Sequence, residues 1–148
     1  MREADLLRFR WVADPQISPD GEWVAFTLVT VDAESDEYRT RLWLISTAGG
    51  DARPLTFGSH DSQPRWSPDG RTLAFVRATE PKKPGQIHLL PLAGGEAAAL
   101  TRLERGASEP CWSLDGGRIA FLSGTHPTLD APEKEKPKKA PGRVITRP

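Results

Sequence analysis

One four-residue motif recurs three times along the chain at nearly constant spacing. Its copies are Ser18-Pro19-Asp20-Gly21, Ser67-Pro68-Asp69-Gly70 and Ser113-Leu114-Asp115-Gly116. Their serines are 49 and 46 residues apart. A nearly fixed period of this size indicates a repeat architecture such as a solenoid, a propeller or an array.

The residue types of the motif predict a β-turn between two strands. In the second copy, Pro68 presets φ at the second turn position and Gly70 occupies the fourth, as in a type I turn. A proline also stands just before the two residues that lead into each motif, at Pro15, Pro64 and Pro110. Proline is tolerated at the start of a strand, so each motif is predicted to close a hairpin.

The strand after each turn alternates between large and small apolar residues. Leu73 and Phe75 fall on one face, and Ala74 on the other. Alanine recurs at that place as Ala25 and Ala120, which predicts that the second face is also covered closely by a neighbouring sheet. The predicted core consists of Val24, Phe26, Leu42, Leu44, Trp66, Leu73, Phe75, Ile87, Leu89, Trp112, Ile119 and Phe121.

Two further strands are predicted in each of the first two repeats. A third strand at residues 41–45 or 86–90 ends at a glycine turn, where positive φ values suit a tight hairpin. A fourth follows at residues 53–56 or 98–101. Helical repeats would need long apolar stripes of period 3.6, which are absent from the sequence. Four short antiparallel strands per unit predict an all-β fold of β-propeller blades, two complete and one partial.

The repeats divide the chain into four predicted segments. A short helix is expected at residues 3–9, within a lead-in of residues 1–13, because Pro15 bars helical continuation. The predicted segments after it are blade 1 at residues 14–60, blade 2 at 61–106 and a partial blade 3 at 107–148. Residues 124–142, rich in lysine and proline, are interpreted as a solvated loop, and residues 143–147 as a strand that pairs back onto blade 3.

The overall composition is that of a folded domain without a net charge. Of 148 residues, 37% are hydrophobic, and Lys plus Arg and Asp plus Glu both number 20. This balance argues against nucleic acid and membrane surfaces as partners. The single cysteine, Cys111, excludes an internal disulfide and is expected to be a small buried residue beside Trp112. Without a signal-peptide core or a membrane-length segment, a cytoplasmic location is expected.

No catalytic, cofactor-binding or metal-binding residue is predicted. His60-Asp61-Ser62 has the residue types of a catalytic triad, but consecutive residues cannot adopt its geometry, and a loop between blades is expected there. His88 occupies the strand position of Trp43 and is expected to be a packed histidine. His126 has no obvious partner, and three dispersed histidines do not make a metal site. No cofactor is expected.

The repeats resemble the N-terminal propeller of the prolyl oligopeptidase family of serine peptidases, most closely its acylaminoacyl-peptidase branch. The turn motif alone is less specific, because TolB-like propellers use it too. The segments that carry the resemblance are Asp5-Leu6-Leu7, the run from Asp14 to Gly21, Trp66-Ser67-Pro68-Asp69-Gly70, and the run from Lys138 to Thr146.

The resemblance implies a propeller that precedes a C-terminal α/β-hydrolase domain carrying the catalytic triad. No Gly-x-Ser-x-Gly nucleophile segment occurs in this sequence, so the chain alone is expected to be inactive. The leading hypothesis is a propeller part that gates short peptides toward the separate catalytic domain. A stand-alone interaction module, binding through residues such as 31–40, is the first alternative, and a periplasmic TolB-like scaffold is the second. Because outer blades lack neighbours, self-association into a homo-oligomer is expected.

Overall fold

A computed structural model describes residues 8–124 and 142–146 and shows three antiparallel β-sheets. The first sheet has the strand order β1-β2-β3-β4, the second β5-β6-β7-β8, and the third β11-β10-β9. The strands are β1 Arg10–Ile17, β2 Trp23–Asp32, β3 Glu37–Ser46, β4 Arg53–Pro54, β5 Asp61–Trp66, β6 Thr72–Arg77, β7 Gln86–Pro91, β8 Ala98–Ala99, β9 Ser108–Trp112, β10 Arg118–Leu122 and β11 Gly142–Thr146. The all-β class and the four-stranded antiparallel units are confirmed.

The partial third sheet has the predicted pairing. β11 runs antiparallel to β10, with Thr146 opposite Arg118 and Gly142 opposite Leu122. In the second sheet, β7 pairs with β6 in the same sense. The strand predicted at residues 143–147 therefore takes the third place in its blade, while the lysine-rich segment before it lies almost wholly outside the described residues.

The chain enters the first sheet earlier than the sequence pattern suggested. Arg8 and Phe9 are not helical, and the remainder of the helix predicted at residues 3–9 lies outside the described residues. β1 begins at Arg10, and its Trp11 and Val12 pair with Val29 and Leu28. These are good β-formers, which explains why the sheet extends into the predicted lead-in.

Every Ser-x-Asp-Gly motif folds into the same hairpin turn. The glycine N–H donates to the serine carbonyl at 2.9, 2.8 and 3.0 Å in the three copies. Gly21, Gly70 and Gly116 have φ values of 75°, 70° and 70°, which lie in the left-handed region that glycine tolerates best. The motif therefore forms the β-turn that joins the first and second strands of each sheet.

The side chains of the turn form a second layer of hydrogen bonds. The serine hydroxyl donates to the aspartate at 2.5 Å in the first turn and at 2.6 Å in the other two. The same carboxylate oxygen accepts a backbone N–H two residues further on, at 2.9–3.0 Å. The hydrogen bond from Ser18 and the N–H of Glu22 lower the pKa of Asp20, and Ser113 with Gly117 does the same for Asp115.

The apolar core lies between neighbouring sheets rather than within one. Ala25 of the first sheet shares a buried cluster with Leu73 and Phe75 of the second. Ala74 of the second sheet shares another cluster with Ile119 and Phe121 of the third. The alanine face of each sheet thus packs on the Leu/Ile-x-Phe face of the next, as the recurrent alanines predicted for the first two blades.

The third sheet departs from this prediction on its outer face. Ala120 is exposed because no described element packs on it. The prediction that Cys111 is buried is wrong for the same reason, since it lies opposite Ala120 on that face. Of the predicted core, Val24, Trp66, Leu89 and Trp112 are half-buried, and the other eight are buried.

Truncation of Phe75 tests the packing between the first two sheets. Its side chain is 0% exposed, so Phe75→Ala should lower the free energy of unfolding by about 3–5 kcal/mol, through lost burial and the cavity left behind. Urea denaturation measures this change. Phe57→Ala is the matched control, because Phe57 is 78% exposed and its loss should cost less than about 0.5 kcal/mol. A cost below about 1 kcal/mol at Phe75 would show that its face is open.

The lowered pKa values of Asp20 and Asp115 predict that the stability of the fold depends on pH. The stability that these two carboxylates contribute is fully present above the ordinary aspartate pKa. It is lost as the pH falls through the lowered pKa of the folded state. Ser18→Ala should raise the pKa of Asp20 toward its ordinary value, as measured by carboxyl-carbon NMR titration. Ser35→Ala, at an exposed serine of another turn, should leave it unchanged. An unaltered pKa of Asp20 in Ser18→Ala would contradict the assigned cause.

Candidate functional site at the converging first strands

The three sheets converge on their first strands. β1 contacts β5, and β5 contacts β9, while each pairs through hydrogen bonds only with the second strand of its own sheet. A groove of about 450 Å³ runs across all three sheets where these strands end at their turns. It is lined by residues such as Gln16, Arg65, Trp66, Glu109, Trp112 and Leu114. All three described sheets contribute residues to this groove.

A β-bulge interrupts each first strand at the same place. Asp14, Gln63 and Glu109 have φ values of 49°, 55° and 53°, and each precedes a proline. A residue other than glycine in the left-handed region costs free energy, and a following proline adds a steric restriction. Strain repeated at three equivalent positions persists because the surrounding contacts hold it.

The bulge residues link each sheet to the next through polar contacts. Arg65 Nη1 donates to Asp14 Oδ2 and to the Pro64 carbonyl, both at 2.7 Å. Gln63 Oε1 accepts the backbone N–H of Glu109 at 2.7 Å, and its Nε2 donates to Glu109 Oε1 at 3.2 Å. The ion pair of Arg65 and Asp14 is partly solvated and contributes about 0–1 kcal/mol. Its main effect is to fix the neighbouring bulges relative to one another.

A second contact between the sheets comes from the tryptophans before the turns. Trp66 Nε1 donates to the Gln16 carbonyl at 2.9 Å, and Trp112 Nε1 donates to the Arg65 carbonyl at 3.0 Å. Gln16 and Arg65 occupy the same place in their repeats. Each indole thus reaches back to the preceding sheet, at the wall of the groove.

The triad-like sequence His60-Asp61-Ser62 has a structural role. Asp61 and Ser62 begin strand β5, so the prediction of a loop is wrong there. Asp61 is fully buried and accepts two hydrogen bonds from Arg77, at 2.7 and 3.0 Å. These bonds raise the pKa of Arg77 above its ordinary value. The carboxylate is paired with an arginine and is not available to orient a histidine.

The remaining histidines offer no reactive group in the described part of the chain. His88 lies on β7 opposite Phe75, with ring centroids 5.8 Å apart, and its Nδ1 is 3.1 Å from the Gln86 carbonyl oxygen. His126 lies outside the described residues. Among residues 8–124 no three histidine, cysteine, aspartate or glutamate side chains come together as a metal site. The described residues also contain no helix that is long and apolar enough to cross a membrane.

The groove combines polar side chains that are bonded to a neighbouring sheet, as Arg65 is to Asp14, with an apolar wall of tryptophan and proline side chains. No candidate residue was predicted here, because the bulge residues differ between repeats. The signal that could have located them is the polar residue before proline in every first strand, at Asp14, Gln63 and Glu109.

Comparison with known sequences finds a peptidase relative. The chain is 43% identical over 98 residues to an uncharacterized peptidase, YuxL, of Bacillus subtilis, a match that covers 66% of this chain and 15% of the relative. No protein-family model matches the chain. The chain thus spans about one seventh of the curated relatives that it matches, which are far longer.

Two solved structures share the fold. The acylaminoacyl peptidase of Pyrococcus horikoshii superposes with a TM-score of 0.65 and 22% identity, over 80% of this chain and 18% of that one. The β-propeller domain of the Trilobed protease of Pyrococcus furiosus gives a TM-score of 0.64 and 23% identity, over 78% and 34%. At such identities the likeness establishes the fold, which is a β-propeller.

The sequence relative is a peptidase, and the solved structures establish the propeller fold. The peptidase match spans 66% of the chain, and the two structural matches cover 80% and 78% of it. The predicted resemblance to the β-propeller portion of a peptidase is thereby confirmed.

Proposed function

We propose that the chain is the non-catalytic propeller part of a serine exopeptidase or oligopeptidase of the acylaminoacyl-peptidase type. Its role is to gate the access of short peptides to a separate α/β-hydrolase domain. The observation that carries the proposal is the 43% identity to a peptidase in a chain that folds as propeller blades. The serine nucleophile and the partner α/β-hydrolase domain are inferred from the resemblance to the prolyl oligopeptidase family.

The geometry of the groove supports a filter based on size. In a closed ring, blades that converge on their first strands would leave a central passage whose width depends on the bulges and on the contacts between them. Asp14 largely neutralises Arg65, so that point of the groove selects weakly by charge. A narrow entrance orients a short peptide and excludes folded protein, which contributes to catalysis through positioning.

Location and assembly complete the proposal. A cytoplasmic protein suits the single thiol and the absence of disulfide pairing. The isolated chain is proposed to form homo-oligomers, because its outer face at Ala120 and Leu122 exposes apolar surface that a closed ring would cover. No cofactor is invoked for the reaction.

An interaction module is the second candidate. Trp11 and Tyr38 form an edge-to-face pair with ring centroids 5.5 Å apart, and both are exposed at the far end of the first sheet. Exposed aromatic side chains of this kind are common in protein interfaces. The peptidase role is favoured because the sequence match is to a peptidase.

The first experiment measures hydrolysis. The 148-residue chain should not turn over chromogenic peptide or ester substrates. The longer polypeptide read from the same gene should contain a Gly-x-Ser-x-Gly segment and show turnover that a serine-directed inhibitor abolishes. Inhibitor-sensitive turnover by the 148-residue chain, or a natural stop codon directly after it, would refute the proposal and, in the second case, favour the module.

The gating role requires a second measurement on that longer polypeptide. Arg65→Ala removes the ion pair to Asp14 and should raise kcat/KM for long peptides relative to short ones, since the first two blades separate more easily at the groove. Arg71→Ala is the matched control at an exposed arginine of the adjacent turn and should leave the ratio unchanged. An unaltered ratio in Arg65→Ala would exclude this part of the groove from size selection.

A further inference from the structure

The strands of the first sheet are longer than those of the second. Strands β2 and β3 contain ten residues each, whereas β6 and β7 contain six. When the two sheets are aligned on their Ser-x-Asp-Gly turns, residues 29–32 of β2 and 37–40 of β3 extend beyond the last paired residues of β6 and β7. β1 follows them, since Arg10 pairs with Thr30. A neighbouring blade with strands of six residues would leave this extension uncovered.

Three arginines lie on one face of the extension. Directly opposite residues of antiparallel strands share a face, and Thr30 lies between Arg10 of β1 and Arg39 of β3. Arg41 lies opposite Leu28, which precedes Thr30 by two residues and is therefore on the same face. All three arginines are exposed. Because like charges repel, an anion on this face would lower the free energy of the folded chain.

One acidic side chain offsets part of this charge. Asp32 pairs with Arg39, and its carboxylate also accepts two backbone N–H groups of the turn that follows. These hydrogen bonds lower the pKa of Asp32, which therefore stays ionised at neutral pH. Among the described residues, no carboxylate pairs with Arg10 or Arg41. Within that part of the chain, two of the three guanidinium groups thus lack an anionic partner.

The three arginines line a groove, here called the arginine groove, together with Phe9, Leu28, Thr30 and Trp43. Its volume is about 460 Å³, which is within the range of small-ligand pockets in proteins. Phenylalanine, leucine and tryptophan contribute apolar surface, and guanidinium groups bind carboxylates through paired hydrogen bonds of fixed geometry. A small ligand that joins a carboxylate to an apolar group therefore fits this groove better than the broad surface of a folded protein does.

The arginine groove and the groove at the turns lie at opposite ends of β1. This strand runs from Arg10, which lines the arginine groove, to Ile17, which lines the groove at the turns. The first strands of neighbouring sheets contact one another along the line that β1 begins. A peptide held by the arginines would thus lie at one mouth of the passage that the proposed gating requires.

We infer that the arginine groove binds the C-terminal carboxylate of a short peptide whose last side chain is apolar. β1 and β3 are two strand spacings apart, about 10 Å, so the long side chains of Arg10 and Arg41 can meet one carboxylate between them. The apolar side chain packs against Leu28 and Trp43. The choice of a peptide as ligand rests on the proposed peptidase role, to which the inference adds a preference for a free C-terminus.

Calorimetric titration tests this binding without requiring hydrolysis. The 148-residue chain is titrated with N-acetyl-dialanyl-phenylalanine and with its C-terminal amide, which differ only in the carboxylate. The free acid should bind roughly tenfold more tightly than the amide, because the amide cannot accept charge-assisted hydrogen bonds from two guanidinium groups. The difference should shrink as the ionic strength rises, since exposed charges are screened by salt.

A double variant tests which residues cause the preference. Arg10→Gln combined with Arg41→Gln should lower the affinity for the free acid to that for the amide. Arg53→Gln combined with Arg71→Gln is the matched control, because it removes the same charge at two exposed arginines outside the groove. The control should keep the preference for the acid. Circular dichroism of each variant reports whether the sheets are folded.

A variant that strengthens binding complements the double variant. Asp32→Asn releases Arg39 from its ion pair, while the amide oxygen of asparagine can still accept the N–H groups of the turn. The affinity for the free acid should rise by roughly twofold to fivefold, in line with the small free energy of an exposed ion pair. Weaker binding of the acid by folded Asp32→Asn would contradict a groove that selects anions.

Four further results would overturn the inference. The first two are equal affinities for acid and amide, and a preference for the acid that persists in folded Arg10→Gln/Arg41→Gln. The third is loss of the preference in the folded control, which would make net charge the cause. The fourth is displacement of the peptide by inorganic phosphate at the peptide's own affinity, which would indicate a site for anions in general. Turnover by the longer polypeptide is measured separately, so failure of the peptidase proposal and failure of this inference are distinguishable.

Discussion

The fold depends on the packing of one sheet face against a different face of the next sheet. A blade of four short strands cannot bury both of its faces alone, so each blade is stable only between neighbours. Alanine at the second strand allows the bulky Leu/Ile-x-Phe face of the next blade to approach closely, as Ala25 does for Phe75 and Ala74 for Phe121. Because the two faces differ, the array has a direction.

The polar contacts determine how these apolar faces are aligned. The indole hydrogen bonds from Trp66 and Trp112 fix the position of each sheet along its neighbour. The bulges at Asp14, Gln63 and Glu109 bring side chains across the gap at the inner edge. Hydrogen bonds of this kind contribute about 0.5–1.5 kcal/mol each, less than the buried phenylalanines, so they confer register more than stability.

Features that recur in every repeat were predictable from the sequence, and features that depend on a neighbouring sheet were not. The hairpin turns, the alternation in β6 and the place of β11 followed from residue types that recur in each repeat, such as Gly70 and Ala74. The exposure of Cys111 and Ala120 could not be predicted, because an outer face is covered only if a further sheet packs on it. The local sequence pattern therefore predicts the strands of a blade but not whether another blade covers its outer face.

The candidate site was harder to predict than the fold. The bulge residues have no common identity, and the left-handed backbone at Asp14 or Gln63 is disfavoured by the following proline, so local preference argues against it. The loop predicted at Asp61 was wrong because nothing in the repeats signals its ion pair with Arg77. The residue equivalent to Arg77 in the first blade is Leu28. A buried ion pair that occurs in a single repeat leaves no periodic signal.

The central claim is that neighbouring sheets are joined by equivalent contacts. Its most direct test compares Trp66→Phe with Trp112→Phe in urea denaturation. Each should lower the free energy of unfolding by about 1 kcal/mol through the lost indole hydrogen bond, with some further loss of packing. Trp23→Phe, at an exposed tryptophan, should change it by less than about 0.5 kcal/mol. If either Trp66→Phe or Trp112→Phe behaves like Trp23→Phe, the two interfaces are not equivalent and the account fails.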